Sequence, residues 1–72
     1  MKKIIIDGKI RHGKPIIEGT RITVEEILGM LESGMSYKEI EEEYGLTKED
    51  ILAVIRYVTS IIKGEEVHKL QK

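Results

Sequence analysis

SYKEIEEEYGLTKEDILAVIRY, residues 36–57, contains two helix starts and the stop between them. Ser36 is followed three positions on by Glu39, the pattern in which a hydroxyl and a carboxylate satisfy each other's backbone N–H groups at a helix N-terminus. Thr47 with Asp50 is a near variant of that pattern, and Glu49 and Asp50 also suit the positive end of the helix dipole. The spacing predicts a short helix from Tyr37 to Tyr44, with Tyr37, Ile40 and Tyr44 on one face, and Gly45 as its stop. A second helix starts at Lys48 and can reach Lys63, ahead of Gly64. Helix, three-residue turn (Gly45-Leu46-Thr47) and helix reproduce the spacing of a helix-turn-helix, with Ile40, Leu46, Ile51 and Ile55 where such a unit builds its core.

Upstream, Thr23 and Glu26 repeat the capping pattern and predict a helix from Val24 to Glu32, with Val24, Ile27, Leu28 and Leu31 at helical spacing and Gly34 beyond its end. On the last helix, Ile51, Ile55, Val58 and Ile62 form the expected core stripe. Leu52, Val54, Tyr57 and Ile61 widen the apolar surface past what two short helices can cover, so they are expected to face a second chain, in a homodimer or with another partner.

The first residues read as extended. In IIIDGKIR, residues 4–11, Asp7-Gly8 lies between β-branched runs and signals a two-residue hairpin turn; a further extended run covers Pro15 to Ile17. The expected fold is mainly α: a three-helix, helix-turn-helix core preceded by short N-terminal β-strands or a hairpin. Residues 1–22 form the strand arm, 23–63 the helical core and 64–72 a C-terminal tail, all in one domain.

GKPIIEGTRI, residues 13–22, superficially suggests a phosphate loop, but Gly13-Lys14 comes first and Pro15 removes a backbone donor where such a loop needs one. A chain reversal fits better. Gly13 and Gly19 supply backbone freedom, Pro15 fixes an extended segment, and Thr20 and Arg21 lead into the Thr23 cap, with the Arg21 guanidinium expected to lock the turn.

Catalytic and metal chemistry find little support. There is no cysteine, His12 and His68 lie far apart, Ser33, Ser36 and Ser60 lack a suitably spaced histidine, and Glu41-Glu42-Glu43 reads as a solvated helix face. Neither an enzyme, a metal site nor a cofactor is expected. No apolar run reaches membrane length, and MKKIIIDGK turns polar too early for a secretory signal, which points to the cytoplasm.

Net charge is −1 but unevenly spread: residues 1–22 carry six Lys and Arg against two acids, and residues 23–62 carry three against nine. The basic arm could bind nucleic acid through Lys2, Lys3, Lys9, Arg11 and Lys14, or pair with the acidic body of a second copy. At the start of the last helix Lys48 could meet DNA, but Glu49 and Asp50 would bring negative charge toward phosphates.

The run from Gly13 to Tyr57, GKPIIEGTRITVEEILGMLESGMSYKEIEEEYGLTKEDILAVIRY, resembles the small prokaryotic family called domain of unknown function 433. The resemblance rests on GKPIIEGTRI followed by SGMSYKEI and LTKEDI. It departs at Gly45, where relatives often have proline after the tyrosine. It implies a homeodomain-like helix-turn-helix behind short strands and an antitoxin role in a toxin–antitoxin pair, with a PIN-like nuclease as partner. A DNA-binding regulator, including one that represses its own operon, is the alternative. Val67 and Leu70 in the tail suit a frayed end or a segment that orders on binding.

Overall fold

The computed structural model describes residues 3–64. Two strands, β1 (Ile4–Ile6) and β2 (Pro15–Ile17), precede three helices: α1 (Val24–Glu32), α2 (Tyr37–Tyr44) and α3 (Lys48–Ile62). Lys2, His68 and the tail positions Val67 and Leu70 lie outside the described residues.

All three helix starts are complete reciprocal capping boxes. Thr23 Oγ1 accepts from the Glu26 N–H at 3.0 Å while Glu26 Oε1 accepts from the Thr23 N–H at 2.9 Å; Ser36 with Glu39 and Thr47 with Asp50 do the same. Asp50 therefore closes its box as fully as glutamate does. Helix α1 ends in a two-bond motif: the Gly34 N–H donates to the Leu31 carbonyl and the Met35 N–H to the Met30 carbonyl, with Gly34 at φ +98°. Gly45, at φ +66°, stops α2.

The strands pair antiparallel, with Ile4 opposite Ile17, Ile5 opposite Ile16 and Ile6 opposite Pro15. This corrects the expected two-residue turn at Asp7-Gly8. Asp7 does start a turn, its Oδ1 accepting from the Lys9 N–H and its carbonyl from the Ile10 N–H, but the chain runs on to Lys14 before it pairs. Local β-branched content marked Ile10 as strand, whereas the residues with a face to bury are Ile16 and Ile17. The far side of β2 is occupied as well: the Ile17 N–H donates to the Ile22 carbonyl, and Ile16 forms a bridge with Thr23.

Ile17, Val24, Ile27, Ile40, Leu46, Ile51 and Val54 form the core, with Ile4, Tyr57 and Val58 packed partly against it. The stripe on α3 is thus rotated from the expected one. Val54, expected to face a partner, is fully buried, while Ile62, expected in the core, is 79% exposed and Ile55 is half-buried. Leu28 and Tyr44 likewise lie at the surface, because the β-hairpin and α3 cover only the Val24–Ile27 side of α1 and the Ile40 side of α2. Replacing Ile51 with alanine should cost about 2–5 kcal/mol, whereas Ile62→Ala should stay within ~0.5 kcal/mol. Thermal melts of the two variants check this, since the sequence-based stripe expects both to be destabilising.

Candidate functional site

Arg11, His12 and Gly13 form a single 3-10 turn in which all three residues take left-handed backbone angles, φ 51°, 60° and 79°. Arginine and histidine there cost roughly 1–2 kcal/mol each, so other contacts must hold the turn. The Arg11 side chain provides them. Its Nη1 donates to the Arg21 carbonyl at 2.8 Å and to Glu26 Oε1 at 3.2 Å, and its Nη2 donates to Glu26 Oε2 at 3.0 Å. The arginine that locks the reversal is therefore Arg11. The Arg21 side chain is exposed and makes no hydrogen bond or ion pair among the described residues; its backbone is what gets held.

The remaining turn residues lie nearby. Thr20 Oγ1 donates to the Ile17 carbonyl at 2.8 Å and accepts from the Ile22 N–H at 3.0 Å, while Gly19 stands at φ +81°. Pro15 opens β2 opposite Ile6. Lys14 Nζ lies 3.2 Å from Glu25 Oε1, an exposed pair.

Glu26 joins the Arg11 clamp to the Thr23 cap. Hydrogen bonding from Arg11 first, and then from the Thr23 N–H, holds its carboxyl below the usual glutamate range. With 42% of its side chain exposed, solvent screens much of that effect, so the Arg11 pair contributes roughly 0.2–1 kcal/mol.

The geometry changes the expected nucleic-acid surface. Of the proposed phosphate contacts, Arg11 and Lys14 are paired with α1 of their own chain, and Lys3 and Lys9 are exposed. Lys48 Nζ sits 5.9 Å from the centre of the Tyr37 ring, tying α3 to α2. Asp50 is buried with its carboxylate turned back onto the Thr47 N–H, which leaves Glu49 as the exposed acid of that first turn.

A second surface runs along α3. Leu52, Ile55 and Ile61 are half-buried and Ile62 is exposed; beside them an open groove of about 380 Å³ is lined by Ile55, Arg56, Thr59, Ser60 and Lys63. Tyr57, expected on this face, packs against the core. Among the described residues no group of three or more His, Cys, Asp or Glu could hold a metal ion, and no helix is long and apolar enough to cross a membrane.

The family model described as "Protein of unknown function (DUF433)" matches residues 4–58, from β1 to the last turns of α3. The chain belongs to the DUF433 family. A protein of Mycobacterium tuberculosis (strain ATCC 25618 / H37Rv), "Putative antitoxin VapB45", is 25% identical over 48 residues, which cover 67% of this chain and 20% of that protein. In the crystal structure of Rv2018 from Mycobacterium tuberculosis the same fold recurs with a TM-score of 0.65 and 23% identity, over 72% of this chain and 24% of that one. The chain therefore spans about a fifth to a quarter of the length of these relatives. The DUF433 match includes the Arg11–Glu26 clamp and ends before Thr59, Ser60 and Lys63 of the groove.

The clamp was missed in the sequence although its signal was there. A cationic arm and an acidic α1 start were both visible, and their pairing was sought between copies instead of within one chain.

The lowered pKa of Glu26 gives the pH dependence a definite sign. Its contribution is fully present above the ordinary glutamate range and is lost as pH falls through the depressed folded value. Replacing Glu26 with glutamine should flatten the acid limb of the stability profile relative to wild type. Chemical denaturation across a pH series reads this directly, and an unchanged acid limb means the clamp contributes nothing. Gly19→Val should cost at least about 1–2 kcal/mol through backbone strain alone, since no atom crowds a Cβ there.

Proposed function

We propose that this protein is an antitoxin-like binding protein that neutralises a PIN-like nuclease by direct contact and acts as a homodimer in the cytoplasm, without catalysis of its own. The observation that carries the reading is the apolar C-terminal half of α3. Ile62 is 79% exposed next to Ile55 and Ile61, with an open groove alongside that mixes apolar, hydroxyl and basic side chains. Exposed aliphatic surface of this kind on a helix suits a protein partner better than a nucleic acid. The name of the Mycobacterium tuberculosis relative and the family resemblance support the same class of role.

DNA binding ranks second. Two of the arm's cations are already paired with α1, and Glu42, Glu43 and Glu49 lie exposed around the α2–α3 turn. Each cation paired within the chain has less attraction left for phosphates.

Co-expression with a PIN-like nuclease from a neighbouring reading frame tests the proposal. Ile62→Asp should keep the melting temperature and lose both co-purification of the nuclease and inhibition of its nuclease activity. If Ile62→Asp and Ile55→Asp still neutralise, the α3 face is not the partner surface. If the free protein instead binds one operator tightly and Lys48→Ala abolishes that binding, the regulator reading takes first place.

A further inference from the structure

Among the described residues the outer edge of β1 is an open hydrogen-bonding edge, and the strand register fixes which groups point outward. The Glu18 N–H donates to the Lys3 carbonyl at 2.8 Å, so Lys3 and Glu18 form a hydrogen-bonded pair and, two residues on, so do Ile5 and Ile16. Ile4 and Ile6 occupy the alternate positions, where backbone groups point away from the partner strand. Two observations agree with this. Pro15, opposite Ile6, has no N–H to give, and the Ile17 N–H, opposite Ile4, donates outward to Ile22. Among the described residues, the backbone bonds outside the strand ladder involve neither Ile4 nor Ile6.

Sheet edges left in this state are normally blunted by proline, an inward-pointing charge, a bulge or a covering element. β1 reads Lys3-Ile4-Ile5-Ile6-Asp7 and has no proline or charge within the strand. Its pattern of charge is self-complementary when reversed. Laid antiparallel on a second copy about Ile5, the strand places Ile4 opposite Ile6 of the copy, so that all four outward N–H groups and all four outward carbonyls of the two Ile4–Ile6 pairs are satisfied. The same register sets each Lys3 opposite an Asp7. Asp7 uses Oδ1 for its own turn and has Oδ2 to offer, and Lys3 is exposed. Ile6, 64% exposed, comes to lie beside Ile4 of the copy on the helix-facing side of the sheet.

We propose that two copies of this chain join through β1, antiparallel and centred on Ile5, to form a continuous sheet in the order β2-β1-β1-β2. This interface is separate from the α3 face and leaves that face open for another protein. It does not depend on the antitoxin reading.

The test uses the absence of cysteine from the chain. In a non-hydrogen-bonded antiparallel pair the Cα atoms lie about 4.5 Å apart, within disulfide range. Ile5→Cys should therefore form an interchain disulfide rapidly under mild oxidation at micromolar concentration, whereas Ile62→Cys, more exposed but on α3, should cross-link only at the rate of random collision. Light scattering should find the wild type dimeric. Ile6→Pro removes one outward donor per chain and should weaken association roughly thirtyfold while the circular-dichroism melt stays cooperative. Lys3→Glu, which places like charges opposite one another, should weaken it several-fold at low salt, with recovery as salt screens the repulsion. A chain that is monomeric at these concentrations, or an Ile5→Cys variant that cross-links no faster than Ile62→Cys, overturns the proposal.

Discussion

The Glu26 carboxylate accepts from the Thr23 N–H and from both terminal nitrogens of Arg11, so one side chain starts α1 and also fastens the arm to it. A chain of 72 residues buries few side chains, and among the described residues the fully buried aliphatic ones are five isoleucines and one valine. With so small a core, where the strands sit relative to the helices depends heavily on a few polar contacts at their junction. Arg11 supplies several from a backbone conformation that arginine seldom adopts. Strain at residues 11–13 is thus opposed in part by the ion pair at Glu26 and in part by the Arg11 bond to the Arg21 carbonyl.

The helices were legible because their boundaries are written locally. Thr23, Ser36 and Thr47, each with a carboxylate three residues on, located all three starts, and Gly34 and Gly45 marked two stops. The strands and the faces were harder, because they depend on pairings distant in sequence. Ile10 and Ile16 look alike locally, and only the pairing of Ile5 with Ile16 tells them apart. On α3 nine of fifteen positions are apolar and they spread over more than one face, so periodicity could not decide between a stripe through Ile55 and Ile62 and one through Val54; contact with α1, α2 and β1 decided for Val54. The turn that holds Arg21 was visible as a turn, while the side chain responsible sits ten residues earlier.

The uneven charge along the chain is partly resolved within it. Arm and body meet in the Arg11–Glu26 and Lys14–Glu25 pairs, which removes part of the cationic surface that a nucleic-acid binder would need. Two apolar surfaces also stand uncovered among the described residues: the end of α3 and the edge of β1. These surfaces differ in kind, one a helix face recognised through side chains and the other a strand edge recognised through backbone, so the two can be occupied at once.

The far edge of β2 is closed by the Ile17–Ile22 hydrogen bond and the Ile16–Thr23 bridge. A sheet open on both sides can add neighbours without limit, which is the geometry of a filament. Among the described residues this one has a single vacancy, at β1, and in the proposed pairing a symmetric partner would fill it with its own. Growth would then stop at two chains, so an aliphatic strand edge that would invite fibre formation in another setting would be confined to a closed, finite assembly.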